Sequence, residues 1–129
     1  MLQPEQHDPS ATPALMTVRR FHDAFNRHDL DAVMAAMTED CVFENTDPPP
    51  DGVRYEGQAA VRSCFEAFFR SSPHASFEIE ELIGCADRCV LRWRYRWVAA
   101  DGTPGHVRGV DVFRVRDGKV AEKLSYVKG

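Results

Sequence analysis

The sequence has no apolar run near the roughly twenty residues that a membrane-crossing helix needs, and its opening, Met1-Leu2-Gln3-Pro4-Glu5, lacks the basic-then-apolar layout of a secretory signal. Both absences point to a cytoplasmic protein that does not engage a membrane. There is no basic block either. The 16 Lys and Arg are interleaved with 20 Asp and Glu, for a formal net charge of −4 and a pI of about 5.7. That balance leaves no electrostatic footprint for nucleic acid. The five histidines (His7, His22, His28, His74 and His106) form no HxH or HExxH pattern, and Cys41, Cys64, Cys85 and Cys89 match no common zinc or redox spacing. No metal site and no cofactor are therefore expected, and the cysteines read as small buried hydrophobes. Internal repeats are lacking, and the only low-complexity tract is Pro48-Pro49-Pro50.

What is present is one domain's worth of chain: 129 residues, 43% hydrophobic and 28% charged, enough to bury a core and too short for a second domain. Residues 1–12 are polar, carry Pro4 and Pro9, and predict a flexible tail, so that the domain spans 13–129. From Pro13, Leu15, Val18, Phe21, His22 and Phe25 recur at helical spacing and predict a first helix ending near Arg27. Asp29 can cap a second, in which Leu30, Val33, Met34 and Met37 follow the helical rule before Thr38-Glu39-Asp40 stops it. The period then shortens at Cys41 to Thr46, which predicts a strand closed by the loop Asp47 to Gly52. After an extended piece at Val53 to Tyr55, Val61, Cys64, Phe65 and Phe68 mark a third helix, with Pro73 beyond it.

Downstream, four strands are predicted: Phe77 to Leu82, Cys89 to Ala99, His106 to Val115 and Lys119 to Val127. In the first, Phe77, Ile79 and Glu81 are set to alternate with Glu78, Glu80 and Leu82. Asp101-Gly102 and Asp117-Gly118 are the turn signals between the last three, which makes them sequential antiparallel neighbours. Helices first and a meander last is an α+β layout, with helices covering one face of a bent sheet.

The stretch from Val107 to Val120 carries the most chemical information. Along a strand, Gly109, Asp111, Phe113 and Val115 share a face, so if Phe113 faces the core, Asp111 is a carboxyl group among apolar neighbours. A carboxyl so placed is a candidate acid, base or hydrogen-bond donor. Spacing alone leaves open the alternative that Asp111 faces solvent or a partner subunit.

Gly109-Val110-Asp111-Val112-Phe113-Arg114-Val115 followed by Asp117-Gly118-Lys119-Val120 resembles the penultimate strand and final hairpin of the SnoaL-like polyketide cyclases and the related ketosteroid isomerases, within the nuclear transport factor 2-like superfamily. The run from Val18 to Asn26, Asp29-Leu30-Asp31, and Thr38 to Glu44 is similar to the opening helices and first strand of the same superfamily. The resemblance implies a cone-shaped roll of the cystatin-like type: three N-terminal helices packed on a curved antiparallel sheet, with a pocket between the layers. It also implies that Asp111 is the inward-facing acid/base. Two positions depart from the isomerase pattern, Phe21 where a tyrosine is wanted and Asn45 where a general-base aspartate is wanted. Phe21 has no hydroxyl, and Asn45 cannot accept a proton at neutral pH. What remains resembles the cyclase arrangement, in which one aspartate removes an acidic C–H proton and returns it to an oxygen.

On that basis Asp111, Asn45 and His22 are the expected catalytic groups, Asn45 as a donor to an enolate oxygen and His22 as a second proton carrier. Phe21, Phe25, Phe43, Trp93, Tyr95, Phe113, Lys123 and Ser125 are the expected lining. Within Leu91 to Trp97, alternation sets Trp93, Tyr95 and Trp97 on one face, with Trp97 assigned to ordinary core packing. Arg92, Arg94 and Arg96 on the other face oppose Glu78 and Glu80, a cross-strand charge ladder or part of a dimer face. On the last strand, the resemblance puts Lys123 or Ser125 near Asp111. A nearby ammonium favours an ionised base there, an apolar surround a protonated donor.

The expected function is a small cofactor-independent enzyme transferring protons during cyclisation or isomerisation of a hydrophobic carbonyl compound. The resemblance adds a homodimer. Two alternatives stand beside it: a noncatalytic ligand-binding or dimerisation module, and an epoxide hydrolase, for which Lys123 and Ser125 would have to serve where an arginine and an aspartate are wanted.

Overall fold

A computed structural model describes residues 12–128. Most of the expected tail, 1–11, lies outside the described residues. Its last member, Thr12, instead caps the first helix, its hydroxyl accepting from the Leu15 N–H at 3.3 Å. Helix α1 (Pro13–Asn26) buries Leu15, Val18, Phe21, His22 and Phe25, the predicted stripe. Helix α2 (Leu30–Ala35) is capped by Asp29, which accepts from the Ala32 N–H at 3.1 Å. It is shorter than its pattern suggests. Met37, expected on its stripe, opens strand β1 (Met37–Glu44), because the chain there joins the sheet: Met37 pairs with Val120, and the Ala36 carbonyl accepts from the Val120 N–H at 2.8 Å. Strand β2 (Arg54–Glu56), helix α3 (Gln58–Ser71) and strands β3 (Phe77–Cys85), β4 (Arg88–Val98), β5 (Pro104–Arg116) and β6 (Lys119–Val127) complete the chain.

The strands form one six-stranded curved, unclosed sheet in the order β2-β1-β6-β5-β4-β3. The last four are the expected antiparallel meander. The sheet as a whole is mixed rather than antiparallel, since β1 lies parallel to β6. No turn signal connects these two segments, so their pairing had no local sequence mark. The helices cover the concave face in the manner of a cone.

In β3 the simple alternation fails. The register jumps between Ile79 and Glu81, leaving Glu80 as a bulged residue. Leu82 consequently returns to the core side with Ile79, rather than opposing it. Bulged Glu80 lies on the outer face among three arginines, Arg92 at 3.4 Å, Arg94 at 3.2 Å and Arg108 at 2.9 Å, while Arg96 approaches Glu78 at 3.7 Å. The arginines of β4 are thus a charge ladder with the preceding strand.

The core is aromatic. Phe65 of α3 packs its ring on Phe43 (4.8 Å), Phe25 (5.1 Å) and Phe21 (6.3 Å), and Phe21 meets Phe113 edge-on at 5.7 Å. Cys41 and Cys89 are buried as expected; Cys85, at the end of β3, is exposed. Trp97, assigned to the core, is 43% exposed and lies over Gly105 beside the turn that closes the β4–β5 hairpin.

Candidate functional site

Strand register assembles the site. Asp111 of β5 sits directly opposite Ser125 of β6, Phe113 opposite Lys123, and on the other side Trp93 of β4 opposite Gly109. The parallel pairing adds Phe43 of β1 beside Lys123. With two-residue alternation, Asp111, Lys123, Ser125, Phe43 and Trp93 therefore all face the helices. Gly109 is required there because a Cβ would stand 2.5 Å from the Trp93 ring and 2.4 Å from the Tyr126 carbonyl oxygen. The glycine of the sequence motif thus lets the Trp93 indole close on the backbone of β5.

Between sheet and helices is a cavity of about 280 Å³. Its walls are Phe21 and Phe25 from α1, Cys64, Phe65 and Phe68 from α3, and Phe43, Phe77 and Trp93 from the sheet. The polar groups are few: Asp111, Lys123 and Ser125 on the floor, His22 on the helix side, and Asn45, Thr46 and Asp47 at the end of β1. A largely apolar hollow with a small convergent polar set is the usual form of a small-molecule site.

The floor cluster is tightly connected. Asp111 is 5% exposed and Lys123 8%. The Ser125 hydroxyl donates to Asp111 Oδ1 at 2.7 Å, and Lys123 Nζ approaches Asp111 Oδ2 at 3.4 Å and donates to Ser125 Oγ at 3.2 Å. The ammonium also stands over the faces of Phe43 (4.6 Å) and Phe25 (5.5 Å). Both carboxylate oxygens of Asp111 are thus held in place with their charge compensated, which is how a buried carboxylate is made tolerable.

His22, 6% exposed, is fixed by the backbone of β3. Its Nε2–H donates to the Phe77 carbonyl at 2.7 Å, and Asn26, one helical turn on, donates to the same carbonyl at 3.0 Å and accepts from the Phe77 N–H at 2.9 Å. With the proton on Nε2, Nδ1 is the acceptor of the neutral ring. Burial lowers the pKa of His22 from its ordinary value, with the Phe77 hydrogen bond opposing. The unfolded chain therefore binds this proton at a higher pH than the folded one. The stability it contributes is fully present above the unfolded value near 6.5 and is lost as pH falls from there through the folded value. We expect the difference in unfolding free energy between wild type and His22→Gln to shrink below about pH 6.5. A difference that is flat with pH from 7 to 5 in denaturant titrations would contradict it.

Asn45 borders the cavity, but its side chain is partly committed: Oδ1 accepts from the Val53 N–H at 2.7 Å and so ties down the proline loop. The loop closes this tightly because Gly52, at φ +69°, has no Cβ; one would lie 2.0 Å from the Asn45 carbonyl oxygen. The amide also donates to the Tyr55 hydroxyl, so one of its two N–H bonds is left for a ligand. Of the expected lining, Phe21, Phe25, Phe43, Trp93, Lys123 and Ser125 are brought together at the cavity. Phe113 is instead wholly buried behind Phe21. Tyr95 stacks on Phe77 at 4.9 Å and lines a separate open depression with Trp97. Residues not singled out for the site are Cys64, Phe65 and Phe68, read only as a core stripe, Thr46, Asp47 and Phe77, and Asn26, whose four-residue spacing from His22 was the available signal. Among the described residues no group of three or more His, Cys, Asp or Glu is placed to hold a metal ion. No helix among them is long and apolar enough to cross a membrane.

Comparison with known proteins gives a consistent picture. The family model for the SnoaL-like domain matches residues 18–123. An NTF2-like protein of unknown function from Mesorhizobium loti is 40% identical, with a TM-score of 0.77, over 95% of this chain and 96% of that one. A second, from Burkholderia pseudomallei, is 26% identical with a TM-score of 0.73, over 91% and 92%. A protein from Xanthomonas campestris with a provisional polyketide cyclase assignment shares the fold at 23% identity and a TM-score of 0.70, over 90% of each chain. No curated protein matches the chain.

Proposed function

Since the chain belongs to the SnoaL-like domain family, we propose that it is a small cofactor-independent enzyme that transfers protons during cyclisation or isomerisation of a hydrophobic carbonyl compound. The observation that carries this reading is the buried Asp111, oriented by Ser125 and Lys123 on the floor of an apolar cavity. A carboxylate held in a water-poor hollow can take a proton from the carbon next to a carbonyl. The Lys123 ammonium balances the charge that grows on the carbonyl oxygen, and Asn45 donates to it. In a cyclisation the resulting carbanion attacks a second carbonyl of the same molecule, and Asp111 returns the proton to the new alkoxide. His22, neutral and fixed across the cavity, is the second carrier where the proton leaves from one atom and arrives at another.

Aromatic walls and a volume of about 280 Å³ suit a flat ligand of a few rings. A thermal-shift screen with aromatic polyketides, steroids and terpenoids tests the ligand class, because a molecule that binds only the folded state raises its stability. Deuterium uptake from D2O at the α-carbon of a hit tests the chemistry. Hits without exchange would favour the noncatalytic binding module, which Phe21 and Asn45 also suit, since they lack the isomerase hydroxyl and carboxylate. The epoxide-hydrolase alternative is the weaker one, because Lys123 and Ser125 supply neither an arginine nor a second carboxylate.

The same reading includes a homodimer formed through the outer sheet face and a cytoplasmic location. Supporting the dimer, Arg94 and Arg114 on that face each bury a guanidinium Nε without a partner, and Tyr126 on the same face is half exposed. Sedimentation equilibrium is expected to give twice the 14.6 kDa chain mass. A monomer at micromolar concentration would remove this part of the proposal.

A further inference from the structure

We infer that Lys123 is a covalent catalytic nucleophile, an amine that condenses with a carbonyl of the bound ligand to form a Schiff base, with Asp111 and Ser125 relaying the protons. The inference rests on the carbonyl reading of the same cavity and replaces simple charge balance with a covalent electron sink.

Lys123 is unusual in this chain. There are three lysines, Lys119, Lys123 and Lys128, and the two others are exposed at the ends of β6. Lys123 alone is buried and lines the cavity. Its Nζ is held by two long contacts, 3.4 Å to Asp111 Oδ2 and 3.2 Å to Ser125 Oγ, against the 2.7–2.9 Å of a strong charge-assisted bond. Asp111 meanwhile takes its short bond from Ser125, at 2.7 Å. The ammonium is thus loosely held between a proton acceptor and two aromatic faces.

An apolar ligand that fills the cavity displaces water and makes this ion pair costlier. Moving one proton from Nζ to Asp111 Oδ2 leaves an amine and a carboxylic acid, both neutral, which such surroundings favour. The amine then attacks the carbonyl carbon. A C–N bond forms, the carbonyl oxygen takes the Asp111 proton, and the nitrogen gives one back to the carboxylate. Asp111 next protonates the hydroxyl of this carbinolamine, which leaves as water, and an iminium remains. Loss of an α-proton to Asp111 gives the enamine, the carbon nucleophile for ring closure; adding water back releases the amine. Every proton moves over the Asp111, Ser125 and Lys123 contacts, and no oxidant or reductant is consumed.

A β-diketone makes the test simple, because its condensation with an amine stops at a conjugated enaminone that needs no trapping. The full-length protein is incubated with 1-phenylbutane-1,3-dione at saturating concentration and read by near-ultraviolet absorbance and intact mass. The expected result is one adduct per chain, heavier than the protein by the diketone less one water, mapped by proteolysis of the wild-type chain to Lys123. Lys123→Arg keeps the positive charge beside Asp111 and is expected to lose both signals, with a cooperative melt showing that it folds. No adduct, or an adduct spread over Lys119, Lys128 and the amino terminus, overturns the inference. If α-carbon deuterium exchange that depends on Asp111 persists in that case, the acid-base reading survives without the covalent step; if exchange is absent too, both fail.

Discussion

Asp111→Asn is expected to slow deuterium uptake at the α-carbon of a bound ketone by about 10²- to 10⁴-fold, the range a positioned general base contributes. The substitution is nearly isosteric. An asparagine carbonyl oxygen can still accept the Ser125 hydroxyl that Asp111 Oδ1 accepts at 2.7 Å, so the floor keeps a hydrogen bond. What disappears is basicity, together with the charge opposite Lys123. Because an unpaired ammonium in an apolar cavity is costly, the variant is expected to melt earlier while keeping one cooperative transition. The comparison therefore reads both exchange rate and ligand-induced thermal shift. A rate within tenfold of wild type, in a variant that still binds, would remove Asp111 from the proton-transfer step and turn attention to His22.

The inward orientation of Asp111 was open on alternation alone, and it follows in the structure from its neighbours on the same face. Phe113 and Gly109 could each be recognised as core-facing, one by size and the other only once Trp93 is seen lying on it. The helical stripes of α1 and α3 were legible because their burial follows a single local period. Three things were not. The bulge at Glu80 changes which face Leu82 occupies, and it is stabilised by arginines on β4 and β5 that a single-strand pattern does not include. The parallel contact of β1 with β6, which sets Phe43 under Lys123, pairs residues eighty or more positions apart without a turn between them. Tyr95 shares Trp93's face, yet lies two residues nearer the β4–β5 turn of a twisted sheet. There Phe77 intervenes, so equal periodicity produces different surroundings. Local pattern assigns a face; the depth along that face is a tertiary property.

Phe65→Ala is expected to cost about 3–5 kcal/mol, the usual range for truncating a buried phenylalanine, out of a total that for such domains is about 5–15 kcal/mol. For a chain of this length that corresponds to a fall in Tm of roughly 10–20 °C. Phe65 is the ring through which α3 holds both layers: it meets Phe21 and Phe25 of α1 and Phe43 of β1, and itself lines the cavity. The space left by the ring would join the existing hollow of about 280 Å³. Relaxation is restricted, since Phe21 is packed edge-on against Phe113 and Phe43 lies beneath the Lys123 ammonium. The loss should therefore sit near the upper end of the range. A ligand larger than the wild-type cavity accepts should recover part of it, because such a molecule supplies the missing contacts only in the folded state. Equilibrium denaturation with and without a ring-extended member of a hit series measures both effects. A cost below about 1 kcal/mol would mean that α3 does not anchor the roof of the cavity. A full cost that no ligand recovers would mean that the space opened by Phe65 is not continuous with the site.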